Sequence, residues 1–266
     1  MKSLKELFKI GRGPSSSHTM GPHKAATMFV ERNPEASRFA VTLYGSLAAT
    51  GKGHLTDVAI IDALSVDGRE VEVIWEPEIF LPYHPNGMKF EAITAGETVG
   101  EWIVYSIGGG ALAEEGVRQE PSPDIYNMSS MTEILEWCEK TGRSYWEYAE
   151  MCEGPSIWEY LAEVWKTMRE AVERGLDHEG VLPGPLNLRR KASTYYIKAS
   201  GYKTNLRSRG LVFSYALAVS EENASGGKIV TAPTCGSSGV LPAVLYHLHT
   251  SHNCSDARIL RALATA

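Results

Sequence analysis

The run Gly13 to Pro22 (GPSSSHTMGP) places Ser15, Ser16, Ser17, His18 and Thr19 side by side, four hydroxyls and one imidazole. The apolar spacing that follows, at Ala25, Ala26, Met28 and Phe29, predicts a helix that ends near Pro34. The cluster therefore falls at a helix N-terminus, where unbonded N–H groups and the helix dipole favour an anion. A carboxylate or phosphate would be held there, with His18 close enough to handle a proton. An ordinary Ser/Thr cap needs one hydroxyl, and this segment offers four.

Four further segments carry reactive types. In Gly45-Ser46 to Asp57, His54 follows a Gly-Lys-Gly turn and has Asp57 three residues on. That suits a general base with an orienting carboxylate, and equally an ordinary surface turn. In Tyr83 to Met88, His84, Asn86 and Gly87 either face a substrate carboxylate or form a plain hairpin turn. Ser106-Ile-Gly-Gly-Gly110 places the bare N–H groups of Gly108 and Gly109 after a strand, the makings of an anion nest. Cys235 sits in a Gly- and Ser-rich loop (Thr231 to Gly239), where a thiol serves as nucleophile or metal ligand. The basic run Arg189, Arg190, Lys191, Lys198, Lys203, Arg207 and Arg209 reads as an anion site or a solvated face. Cys138 and Cys152 read as core from their neighbours, and Cys254 precedes a helix cap.

The elements that must position these residues divide the chain. Alternation marks strands at Phe39–Tyr44 and at Val71, Val73 and Trp75, with further candidates at Lys89–Thr94 and Trp102–Ser106. A small-residue helix follows Gly45. Residues from about 115 to 130, with Pro121 and Pro123, read as a linker or exposed loop. Beyond them the texture is helical. Ile157, Leu161, Val164, Trp165, Met168 and Val172 form one apolar face, with Gly175 as a stop. Capping boxes are expected at Ser3/Glu6, Ser130/Glu133 and Ser156/Glu159. Further helices are expected at Leu211–Glu222, at Val240–His249 and from Ser255 to the end. The fold class is an α+β N-terminal domain followed by an all-α, partial catalytic domain. The domains are 1–125, a connecting segment 126–155, and 156–266.

With 266 residues and a net charge of −6, the chain gives no reason to expect nucleic acid or an anionic membrane surface. No apolar run reaches membrane-spanning length, and the N-terminus lacks a signal-peptide core. Four cysteines without CxxC spacing argue against a disulfide framework. A cytoplasmic protein is expected. The last helix still runs at Ala264-Thr-Ala266, which suggests a truncated or incomplete chain.

GPSSSHTMGP, GSLAATGKGHLTD, HPNGM, YSIGGG and VTAPTCGSSGVLPAVL, in this order, resemble the iron–sulfur L-serine dehydratases (L-serine ammonia-lyases) along essentially the whole chain. The resemblance implies a beta-type α+β domain, an alpha-type helical domain with a [4Fe–4S] cluster, and no pyridoxal phosphate. It implies conversion of L-serine to pyruvate and ammonia, with the cluster as Lewis acid on the substrate hydroxyl. Ser15, Ser16, Ser17, Thr19 and His18 would hold the substrate carboxylate. His54 would be the base, and His84, Asn86, Gly87, Gly108 and Gly109 would line the pocket. A homodimer is the implied assembly. In this family's loop the cluster cysteine falls where this chain has Ser238, so Cys235 stands in as the metal ligand. The other two cluster cysteines have no match here. This chain alone is therefore expected to be inactive. The alternative is a non-catalytic serine-binding regulatory module.

Overall fold

The computed structural model describes residues 1–117 and 123–266. Part of the linker expected over residues 115–130 lies outside the described residues. The elements begin with α1 (Leu4–Leu7), β1 (Ile10–Arg12) and a π-helical turn (Ser16–Met20) that runs into α2 (Gly21–Arg32). Next come β2 (Arg38–Tyr44), α3 (Gly45–Thr50), a 3-10 turn (Gly51–His54), α4 (Thr56–Leu64) and β3 (Glu70–Glu76). β4 (Gly87–Thr94), β5 (Glu97–Gly108) and β6 (Ala111–Ala113) complete the sheet. The helical part holds α5 (Met131–Thr141), α6 (Tyr145–Glu153), α7 (Ile157–Asp177), α8 (Ala192–Ser200) and α9 (Thr204–Ala224). It ends with β7 (Lys228–Val230), α10 (Val240–His252) and α11 (Asp256–Thr265). The chain forms two compact units, one of Arg12–Gln119 and one of Met1–Gly11 with Glu120–Ala266.

In the first unit the sheet order is β3-β2-β4-β5-β6. β2 and β3 pair in parallel, because α3 and α4 carry the chain across between them. The remaining pairs are antiparallel. Alternation sends Met88, Phe90 and Ala92 of β4 into the core with Phe39, Val41 and Leu43 of β2. Phe29 of α2 and Ile60 and Leu64 of α4 join them. Lys89 instead pairs with Glu91 at 3.2 Å and Glu101 at 3.0 Å, so one face of the sheet is apolar and the other charged.

In the second unit α7 supplies Ile157, Leu161, Val164, Trp165 and Met168 to a core shared with Phe8, Leu245, Ile259 and Leu263. The expectation of an all-α domain holds apart from β7, which pairs with β1. Three residues are too few for alternation to show in a sequence. Glu222 of α9 is buried against Arg174 of α7 (3.2 Å), Arg190 (3.2 Å) and His178 (2.7 Å). Burial raises its carboxyl pKa, but His178 and the guanidiniums outweigh that and hold it below the ordinary range.

Several local expectations are corrected. Gly175 does not stop α7, which continues to Asp177. A Cβ there would meet the Ala218 backbone at 2.5–2.8 Å, so Gly175 permits close approach of α9. Ser156 adopts helical angles and makes no cap bond, whereas the box at Ser130/Glu133 forms. A box at Ser144/Glu147 also forms. Ser3 accepts from Lys5 N and donates to Glu153, and its helix ends at Leu7. Cys138 and Cys152 are only half-buried. Of the basic run, Arg190 is committed to Glu222 and Ser225, and the other members are exposed.

Candidate active site

The serine cluster forms one tight turn. Ser15 is the N-cap of the π-helical turn, and its Oγ accepts from His18 N at 3.1 Å. Ser17 Oγ lies 2.9 Å from His18 Nδ1 and 3.4 Å from Ser15 Oγ. Ser16 and Ser17 begin a helical segment that continues through α2, so their N–H groups face outward from its start. Thr19 is buried, and its hydroxyl ties Ser15 N to the His54 carbonyl (3.2 and 2.8 Å). Thr19 thus braces the cluster.

His54 is brought to the cluster by the 3-10 turn, with ring centroids 4.8 Å from His18. Its Nδ1 lies 3.0 Å from the Thr50 carbonyl. A carbonyl only accepts, so Nδ1 carries the proton and Nε2 of neutral His54 keeps its lone pair. The expected orienting carboxylate is corrected here: Asp57 Oδ1 accepts from Val58 N, and the Thr50 carbonyl orients the ring. Burial, reinforced by His54, holds the His18 imidazole below its ordinary pKa, against a weaker opposing effect from Ser46. One positive charge on this pair therefore disfavours a second.

The remaining segments lie at the start of β4 and at the end of β5. His84 Nδ1 accepts from Asn86 N at 3.1 Å, so the His84 proton is on Nε2, the reverse of His54. Asn86 is buried and gives its amide to the Ser106 carbonyl at 3.1 Å. Asn86 therefore builds the loop that leads into Gly87. Gly108 and Gly109 have φ of 104° and 57°, and the turn they make sets Gly110 beside Met20 and the Ser16 carbonyl. Ser106 is fully buried with no partner for its hydroxyl, and it presses on Gly21, where a Cβ would strike it.

Sequence reasoning missed Ser46 and Thr50 as site residues. Ser46 Oγ lies 3.2 Å from His18 Nε2. Their signal was available in Gly45-Ser46-Leu-Ala-Ala-Thr50, where Ser46 and Thr50 fall one helical turn apart.

Cys235 lies in the other unit and is buried, which pushes its thiol up to about 11. Burial here opposes the thiolate expected of a nucleophile. Ser238 beside it is buried and its hydroxyl has no partner. Among the described residues no group of three His, Cys, Asp or Glu side chains is arranged to hold a metal ion. An iron–sulfur cluster needs several thiolates, so the residues present do not fit one.

Residues 91–266 match the serine dehydratase alpha chain family, and residues 3–71 match the serine dehydratase beta chain family. The chain belongs to the serine dehydratase family. It is 40% identical to L-serine dehydratase 1 of Escherichia coli over 94% of this chain and 66% of that protein. It is 36% identical to L-serine dehydratase of Streptomyces coelicolor (99% and 70%) and 31% identical to that of Helicobacter pylori (99% and 70%). The chain spans 65–66% of the length of these Escherichia coli relatives, just under two thirds. Among its described residues no helix is long and apolar enough to cross a membrane.

Proposed function

We propose that this chain carries the carboxylate-binding and proton-abstracting part of an L-serine ammonia-lyase, which converts L-serine to pyruvate and ammonia. The observation that carries the reading is the free lone pair on His54 Nε2, held beside the hydroxyl-rich turn at Ser15–Thr19. The N–H groups at the start of that turn and the hydroxyls of Ser15, Ser16 and Ser17 take the substrate carboxylate. His54 Nε2 takes the α-proton. Loss of the β-hydroxyl as water leaves aminoacrylate, which tautomerises and hydrolyses to pyruvate and ammonia. The resemblance assigns the leaving hydroxyl to a cluster. Because the described residues do not build that centre, the chemistry assigned to them stops at the carboxylate and the α-proton. Four free cysteines suit a reducing, cytoplasmic setting, and the resemblance suggests a dimer.

A second reading, in which the same site binds serine without turning it over, rests on the hydroxyl-rich turn alone. The experiment is calorimetry of L-serine with the purified chain, followed by a pyruvate assay after anaerobic treatment with iron and sulfide. Serine binding that Ser17→Ala weakens, without pyruvate, is the expected result. Absence of serine binding overturns both readings. Pyruvate formation that survives His54→Gln overturns the assignment of the base.

A further inference from the structure

Helix α3 touches both histidines, one from each end. Near its start Ser46 Oγ lies 3.2 Å from His18 Nε2, and at its end the Thr50 carbonyl accepts from His54 Nδ1 at 3.0 Å. Thr50 Oγ1 also donates to the Ser46 carbonyl at 2.9 Å, which stiffens the turn between them. The helix is anchored at its base, where Ser46 N donates to the Pro85 carbonyl at 3.0 Å. Gly45, with φ of 50°, makes the sharp exit from β2 that allows this.

We propose that Ser46 is the positioning residue of His18, and that α3 is a strut of fixed length spacing His18 from His54. The proposal rests on the serine-site reading above. Its logic is one of donors and acceptors. Neutral His18 has one N–H, with Ser17 Oγ at Nδ1 and Ser46 Oγ at Nε2. A substrate carboxylate only accepts, so Ser17 must donate to it. Ser17 Oγ then accepts from His18 Nδ1–H, and His18 Nε2 accepts from the Ser46 hydroxyl. Carboxylate binding therefore selects one His18 tautomer and needs Ser46 as the donor. It is the tautomer that Thr50 imposes on His54, so both rings then carry their proton on Nδ1.

The test is nitrogen-15 NMR of the histidine side chains in the 266-residue chain, with and without L-serine. In the native protein and in Ser46→Thr, serine drives His18 to the Nδ1–H tautomer. In Ser46→Ala that response is lost and serine affinity falls on the order of tenfold, the effect of stranding a polar group. Unchanged His84 and His247 signals report an intact fold. A Ser46→Ala variant with native His18 signals and native serine affinity overturns the proposal. If the native chain binds no serine, the functional reading fails separately, and the ligand-free spectra still judge Ser46: unchanged His18 signals in Ser46→Ala overturn its role. Should Ser46→Ala not fold, Ser46→Cys keeps the size with a weaker bond, and the same comparison decides.

Discussion

His18 couples the site to pH through its own burial. Its folded pKa lies below the ordinary value of about 6.5, so the folded state holds fewer protons than the unfolded one as pH drops. Its contribution to stability is full above about pH 6.5 and is lost as pH falls through the folded pKa. Urea unfolding followed from pH 7.5 down to about pH 5 should show this loss, and His18→Gln should flatten that part of the profile. Glu222 behaves as an enclosed carboxylate with three partners. Glu222→Gln strands Arg190 and should cost about 3 kcal/mol, the lower end for a broken buried pair because Arg174 and His178 reach solvent. The same denaturant titration measures it. The position of His54 in a turn was legible from its flanking glycines. Its orienting partner was not, because Asp57 lies close in sequence while the Thr50 carbonyl is a backbone group.

Single glycines set how closely the elements approach. Gly175 lies inside α7 with its Cα face against Ala218 of α9. Gly175→Ala should destabilise the helical unit by about 1–3 kcal/mol through overpacking, seen as a lower midpoint in thermal melts. Gly45→Ala faces a positive φ together with the Pro85 carbonyl at 2.7 Å and the Phe80 ring at 2.9 Å. It should disturb the His18–Ser46 contact as well as stability, and the His18 NMR signals would register both. From the sequence Gly175 reads as a helix stop. The reading fails because a glycine that ends a helix and one that admits a neighbouring helix are the same residue in one dimension. The apolar faces of α7 and of strands β2 to β5 were legible, since periods of 3.6 and 2 follow from backbone geometry alone.

At the scale of the whole molecule, the chain carries the serine turn and His54 in one compact unit and the buried Cys235 in the other. Anaerobic addition of iron and sulfide should give no stable visible cluster absorption, because Cys235 has no arranged set of thiolate companions among the described residues. A stoichiometric cluster would show that ligands do assemble. The sequence by itself determined the two textures of the chain, most element positions and the family, and it named the residue types of the candidate site. These rest on local periodicity and on short motifs whose residues are neighbours in the chain. Only the tertiary structure decided which nitrogen of His54 is free, that Thr19 and Asn86 brace the site from below, and that α3 spans the two histidines. The free nitrogen of His54 is set by a backbone carbonyl four positions away, which no side-chain pattern reports, and the other contacts join residues far apart in sequence, such as His18 and Ser46, 28 positions apart.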